Sequence, residues 1–365
     1  MRRVDGKRGP IPKKRMHLKE WVRREIVRGH YPRGSRLPDR DWFMSEFATN
    51  RKLVQQAFDE LKAEGFVRAV PGHGTLVATR YPFEGRYLVL VKGVGLDAGA
   101  HIFAAALEKS TRELSAERGI SFDIRGLSDA PPESADYARI LEDVRAQRYA
   151  GVFVQGLGKR QGLDTVTNVD DLPSVFLGPR NECTQGSLAA SLCDHMGLAN
   201  MLLQRLLAGC AAKGCKRIAL FAGLPVSRNP GTFAEMSRRV AEYGLELVPN
   251  GYHTVAMDKW DQPVFRQLVR LFFASDAGRA ADAVVLADDN FLRPFAEELR
   301  AVYGEEAIRR YALFCLGNAP LLPETGFPVE FHGIDWKMML ASFVDYCESC
   351  RTDGRRHPAP RLIPF

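Results

Sequence analysis

No stretch of this 365-residue chain stays apolar for the roughly 18–20 residues that a bilayer span requires, so no membrane partner is expected. The basic segment Met1 to Arg15 is not followed by an apolar core segment, which argues against a secretory signal. Cysteine is scarce: seven residues, an odd number without a dense framework, point to a reducing compartment and a cytoplasmic location. Cys347-Glu-Ser-Cys350 is a CxxC, and Cys210 and Cys215 are five apart, but no second CxxC or His pair completes a zinc set. Gly93-Val-Gly95 and Gly156-Leu-Gly158 lack the full G-x-G-x-x-G and its downstream acid. Walker A, G-x-S-x-G and H-E-x-x-H stretches are missing as well. Neither a metal nor a cofactor is expected, and without a nucleophile or metal constellation the chain does not read as an enzyme.

The composition is that of a globular protein, with 45% hydrophobic and 26% charged residues, and the length suits two or three domains. Charge is unevenly placed. Residues 1–80 carry 19 Lys and Arg against 9 Asp and Glu, a net +10, while the rest carries 32 against 35, a net −3. A polyanion-binding head on a near-neutral body accounts for that asymmetry.

The head has a clear periodicity. Leu18, Val22 and Ile26 recur at i, i+4, i+8, one helical face that Trp21 widens. Gly29 to Gly34 breaks that helix. Pro38-Asp39 opens a second helix, with Phe43 and Phe47 on its inner side. Thr49-Asn50 breaks again and offers an N-cap. In the third helix Val54, Ala57, Phe58 and Leu61 form an inner stripe, and Lys52, Gln55 and Gln56 point outward, with Arg51 flanking them. Phe66 to Val70 and Thr75 to Thr79 read as strands joined by Pro71-Gly72-His73-Gly74. Three helices and a hairpin describe a winged helix-turn-helix. Its candidate DNA-contacting residues are Arg36 and Arg40 on phosphates, Arg51, Lys52, Gln55 and Gln56 on the third helix, and His73 and Thr75 on the wing. Arg suits guanine and Gln suits adenine.

The segments Gly29-His-Tyr-Pro-Arg-Gly-Ser-Arg-Leu-Pro38, Asn50-Arg51, Leu61-Lys-Ala-Glu-Gly65-Phe-Val and Gly72-His-Gly-Thr75-Leu-Val77 resemble the GntR-type DNA-binding domain over residues 15–80. The resemblance implies that Arg51 is the family's arginine after the turn and His73 its wing-tip residue. Two positions depart from the pattern. Asp41 stands where the family has an arginine, with Arg40 one step earlier, and Gln55 replaces a second recognition-helix arginine.

Tyr81 to Gly85 reads as a linker. Beyond it strands alternate with helices, among them Tyr87 to Val91, Gly151 to Val154, Ser174 to Leu177, Arg217 to Phe221, Glu246 to Val248, Ala283 to Ala287 and Ala312 to Leu316. Continuous β-branched runs between helices imply parallel sheets covered on both faces, and about nine strands are best housed in two Rossmann-like lobes. Asp194-His-Met-Gly197, Lys213 to Gly223, Arg228-Asn-Pro-Gly231, Ala283 to Asp289 and Leu313 to Asn318 resemble the periplasmic-binding-protein-like effector domain of LacI-type repressors. That resemblance implies a cleft for a sugar-like effector, with Asp194 and Arg228 at ligand-holding positions. Asp288, Asp289 and Asn318 follow strands, as do Asp97, His101 and Phe103 after the first, so all are candidate effector contacts.

The expected organisation is a basic flexible tail at 1–14, a winged helix at 15–80, a linker at 81–86 and an effector-binding domain at 87–365. The fold class is α/β, a winged helix-turn-helix followed by a two-lobed body. The expected function is a transcription regulator, a repressor by the family's usual sign. It would bind double-stranded operator DNA as a homodimer and answer to a sugar or sugar derivative. In the alternative reading, the body only dimerises and takes no ligand.

Overall fold

The structure is a computed structural model that describes residues 11–92, 102–127, 135–155, 172–177, 189–193, 195–224, 233–256 and 261–352. Asp97, His101, Asp194 and Arg228 lie outside the described residues, as does the expected tail up to residue 10.

Helix α1 (Ile11–Val27) begins inside the stretch taken as tail and buries Leu18, Val22 and Ile26. Helix α2 (Arg40–Glu46) starts where Asp39 Oδ1 accepts the Trp42 N–H at 2.8 Å. Helix α3 (Arg51–Ala63) starts where Asn50 Oδ1 accepts the Leu53 N–H at 3.0 Å. Each cap satisfies a donor that the first turn would otherwise leave unpaired. The stripe Val54, Ala57, Phe58 and Leu61 is wholly buried, at roughly 1.5–3 kcal/mol for each large apolar side chain. Strands β1 (Val67–Val70) and β2 (Gly74–Val77) pair antiparallel as the wing. Residues 35–37 add a third rung, through the Arg36–Leu76 bridge and the Leu37 N–H to Thr75 carbonyl bond at 2.9 Å.

The segment read as a linker is packed against the head. Tyr81 and Phe83 are buried against Phe66, and the Tyr81 hydroxyl donates to the Ile26 carbonyl at 3.3 Å. Arg33 lies over the Tyr81 ring and pairs with Glu84 at 2.7 Å. The same apolar cluster continues into the body through Tyr87.

The body holds two five-stranded, all-parallel sheets. The first runs β4 (Ser121–Leu127), β3 (Arg86–Lys92), β5 (Gly151–Gln155), β6 (Ser174–Leu177), β7 (Ala189–Cys193). Helices α4 (Ile102–Arg118) and α5 (Ala135–Arg145) serve it. The second runs β12 (Glu330–Asp335), β11 (Ala312–Ala319), β10 (Ala283–Leu286), β8 (Arg217–Leu224), β9 (Glu246–Ala256). Around it lie α6 (His195–Ala212), α7 (Phe233–Ala241), α8 (Gln262–Ala274), α9 (Asp276–Ala280), α10 (Leu292–Tyr303) and α11 (Glu305–Arg309). Helix α12 (Trp336–Thr352) leaves the second sheet and packs on the first lobe, with Phe343 edge-on to Tyr87 and Phe153.

Helices α9, α11 and α12 were not expected, and three strands also differ from expectation. Strand β9 runs on to Ala256 because Pro249, Asn250 and Gly251 sit in an irregularity of the strand, where its pairing with β8 shifts register; they do not end it. Asn250 takes φ +55° there, a conformation that asparagine tolerates better than most residues. Strands β7 and β12 were not expected. Ala189–Cys193 has little β-branching, and β12 is an edge strand whose residues are half-buried or exposed.

Candidate nucleic-acid interface and interlobe cleft

On the head, Arg51 and Lys52 are exposed in the first turn of α3, and neither side chain bonds to another described residue. Gln55 is exposed one turn later and Gln56 is half-buried. His73 stands exposed at the wing tip between Gly72 at φ +74° and Gly74 at φ +82°, its Nδ1 3.1 Å from the Pro71 carbonyl. Arg36 is exposed and lays its guanidinium across Gly74, where a Cβ would sit 3.3 Å from Nε. Glycine is favoured at that position by its backbone conformation.

Arg40 departs from its expected role. Its guanidinium lies 3.8 Å from the Phe58 ring centroid, and Nη2 donates to Thr75 Oγ1 at 3.2 Å. Its Nε approaches Gln55 Oε1 at 3.5 Å. Burial and nearby Arg51 lower its pKa against the pull of Asp59. Arg40 is a brace joining α2, α3 and the wing, since desolvation and stacking hold it inward rather than toward a phosphate. Thr75 is occupied as its acceptor. Asp59, which sequence reading passed over, accepts the Gln55 amide at 2.8 Å. Its signal was the i, i+4 spacing on one helix.

In the body, ligands of open parallel sheets bind beyond the strand ends where strand order reverses. Those points are β3/β5 in the first sheet and β8/β10 in the second. Among the described residues, the segment leaving such a strand is 287–290, after β10. It makes a short 3-10 turn in which Asp288 Oδ1 accepts both the Asn290 backbone N–H, at 2.9 Å, and its side-chain amide, at 2.8 Å. Asn290 Oδ1 in turn accepts the Ile102 N–H of α4 at 3.4 Å, joining the two lobes.

Asp289 and Asn318 are brought together and are almost wholly buried. Asp289 is 1% exposed and Asn318 8%. Asp289 Oδ2 accepts the Asn318 backbone N–H at 2.9 Å, and both carboxylate oxygens accept its amide, at 3.1 and 3.0 Å. Asn318 Oδ1 accepts the Trp336 indole N–H at 2.9 Å. Phe103 packs edge-on against Trp336 with centroids 4.8 Å apart. Of the expected ligand contacts, Asn318 is thus an interior brace, because a buried amide keeps every partner it can reach, and Phe103 is half-buried with its ring engaged by Trp336. Burial first, and the neighbouring Asp288 charge second, push Asp289 up to about 7. Trp336 and Asn290 were not foreseen, since Asn318 is 18 residues from the one and Ile102 is 188 from the other.

A cavity of about 810 Å³ opens beside this turn. Asp289, Asn290, Arg293 and Glu297 line it from one lobe and Ile102 and Ala105 from the other. Acid, amide and guanidinium groups over an aliphatic floor suit a neutral, hydroxyl-bearing molecule.

Comparison with known proteins agrees with this geometry. Residues 14–77 match the family described as bacterial regulatory proteins, gntR family. Over 67 residues the chain is 33% identical to the uncharacterized HTH-type transcriptional regulator YdfD of Bacillus subtilis (strain 168), covering 18% of this chain and 14% of that protein. The transcriptional regulator CelR–cellobiose complex is similar in fold, with a TM-score of 0.51 at 16% identity over 97% of this chain and 96% of that one. A LacI family transcriptional regulator from Lactobacillus casei with bound sucrose gives 0.51 at 15% identity over 77% and 96%. A LacI family regulator from Clostridium acetobutylicum gives 0.53 at 9% over 76% and 96%. The N-terminal segment is a GntR-type helix-turn-helix domain, and the body has the periplasmic-binding-protein-like fold of LacI-type regulators.

Proposed function

We propose that the protein is a DNA-binding transcription regulator, a repressor, whose head at residues 15–80 reads an operator and whose body at 87–365 closes on a sugar-like effector. The single observation that carries the reading is the exposed basic start of α3: Arg51 and Lys52 stand where major-groove readers meet base edges, in the part of the chain that holds its excess positive charge. Two heads, one from each copy of a homodimer, would read two half-sites at a spacing set by the bodies. Effector binding would be centred on the mouth near Asp288 and Asn290, with Asp97, His101, Asp194 and Arg228 as further candidates. The segment 81–86 connects reader and sensor. Its burial against the head supports transmission of lobe movement as a rigid turn of the head, and a coupling of about 1–3 kcal/mol changes occupancy five- to 150-fold.

The test is anisotropy of labelled duplexes from the upstream region of its own gene, in low salt, with and without sugars. Arg51→Ala is expected to lose about 1–3 kcal/mol of affinity for the preferred duplex and to relax specificity at one base pair. Unchanged binding would sink the α3 assignment. A sugar at 100 times its Kd should add about 2.7 kcal/mol to stability. If no sugar or sugar phosphate in a melting screen stabilises the protein, the body only dimerises.

A further inference from the structure

The observation that the function above leaves unused is the chain of side chains Arg40–Gln55–Asp59 on the outer side of α3. A glutamine amide has two ends of similar shape and opposite character, an acceptor oxygen and a donor nitrogen, and on an exposed helix it can flip between them. Here both ends are held. Asp59, an acceptor when ionised, accepts a hydrogen bond from Gln55 Nε2 at 2.8 Å. Arg40, which only donates, faces Gln55 Oε1 at 3.5 Å, and its own position is fixed by the Phe58 ring and Thr75. An acceptor-only neighbour at one end and a donor-only neighbour at the other select the same orientation, and the flipped amide would oppose both.

We propose that Gln55 is a specificity-determining residue set in advance to read adenine, and that Asp59 and Arg40 are its positioning residues. This rests on the reading that α3 enters the major groove. Each end of the held amide keeps one unused site, an N–H and a carbonyl lone pair. Adenine presents N7 as acceptor and N6–H as donor on that edge, which matches both. Guanine presents two acceptors, O6 and N7, so its O6 would meet the Gln55 carbonyl oxygen. Asp59 exerts an opposing effect as well. Its carboxylate stands on the DNA-facing helix and repels phosphates whatever the sequence, so it weakens all binding while sharpening one base.

The two effects separate in one experiment: selection of the full-length protein on a pool of randomised duplexes, followed by anisotropy on the winning duplex and on a scrambled one. The wild type is expected to show an adenine at one position of each half-site, preferred about tenfold to a hundredfold. Gln55→Ala should randomise that position and leave the others. Asp59→Ala should weaken the same preference severalfold and bind the scrambled duplex severalfold more tightly than wild type. A purely structural role for Asp59 would instead lower affinity for both duplexes. Asp59→Asn, close in shape but able to donate as well as accept, should also weaken the adenine preference. An adenine preference intact in Asp59→Ala and Asp59→Asn overturns the positioning role. An unaltered base profile in Gln55→Ala overturns the reading role. If the wild type enriches no sequence at all, the DNA-reading function itself fails, an outcome distinct from either.

Discussion

Asp289 is held in an environment its chemistry does not favour: a carboxyl 1% exposed and next to a second acid. Its pKa in the folded protein is raised to about 7 from an ordinary 3.8, so between those values the folded state holds a proton that the unfolded chain has released. The stability it contributes is complete below the unfolded value and is lost as pH rises through the folded one. Urea unfolding of the wild type should show the body less stable at pH 8 than at pH 5.5, by about 2 kcal/mol from this group. Asp288→Asn keeps an acceptor for the Asn290 N–H and removes the neighbouring charge. It should shrink that difference, and a difference unchanged in the variant would show that Asp288 does not set it.

Between elements, the docking of α12 on the first lobe depends on a glycine. A Cβ built at Gly151 in β5 would collide with Cys347 Sγ on α12 and lie 3.2 Å from the Pro173 carbonyl. Both Gly151 and Cys347 are buried, so there is no room to yield. Gly151→Ala should destabilise by about 1–3 kcal/mol. In a Cys347→Ala background the same substitution should cost less, a coupling that a double-mutant cycle of melting curves would reveal. Equal costs in both backgrounds would place the strain elsewhere. Helix α12 was not among the expected elements, although Trp336, Met339, Leu340, Phe343, Val344 and Cys347 repeat at helical spacing and all are buried. The irregularity in β9 was not legible, because Pro-Asn-Gly carries the chemistry of a turn and only the partner strand shows that pairing resumes after it.

For the molecule as a whole, charge placement leads to a measurable salt dependence. If each head of a dimer meets about three phosphates, log K against log salt should fall with a slope near −5. Arg36→Ala, the exposed side chain expected on a phosphate, should flatten it by about one for each head and weaken all sequences alike. A slope near zero would mean that the excess positive charge of residues 1–80 meets no phosphate.

The features legible in the sequence are those in which cause and effect lie within a turn or a strand of each other. The stripe on α3, the Asn50 cap, the wing glycines and the alternation of apolar strands with helices are of this kind, as is the gathering of positive charge in the head. The fates of Arg40, Asn318 and Phe103 were decided elsewhere. Each has the residue type of a ligand contact and is engaged by a partner that folding brings up from 15 to 233 residues away, as Gln55 is from Arg40, Asp289 from Asn318 and Trp336 from Phe103. A polar group withdrawn from water must take the nearest complementary group that the fold supplies, and no spacing along the chain reveals which group that is.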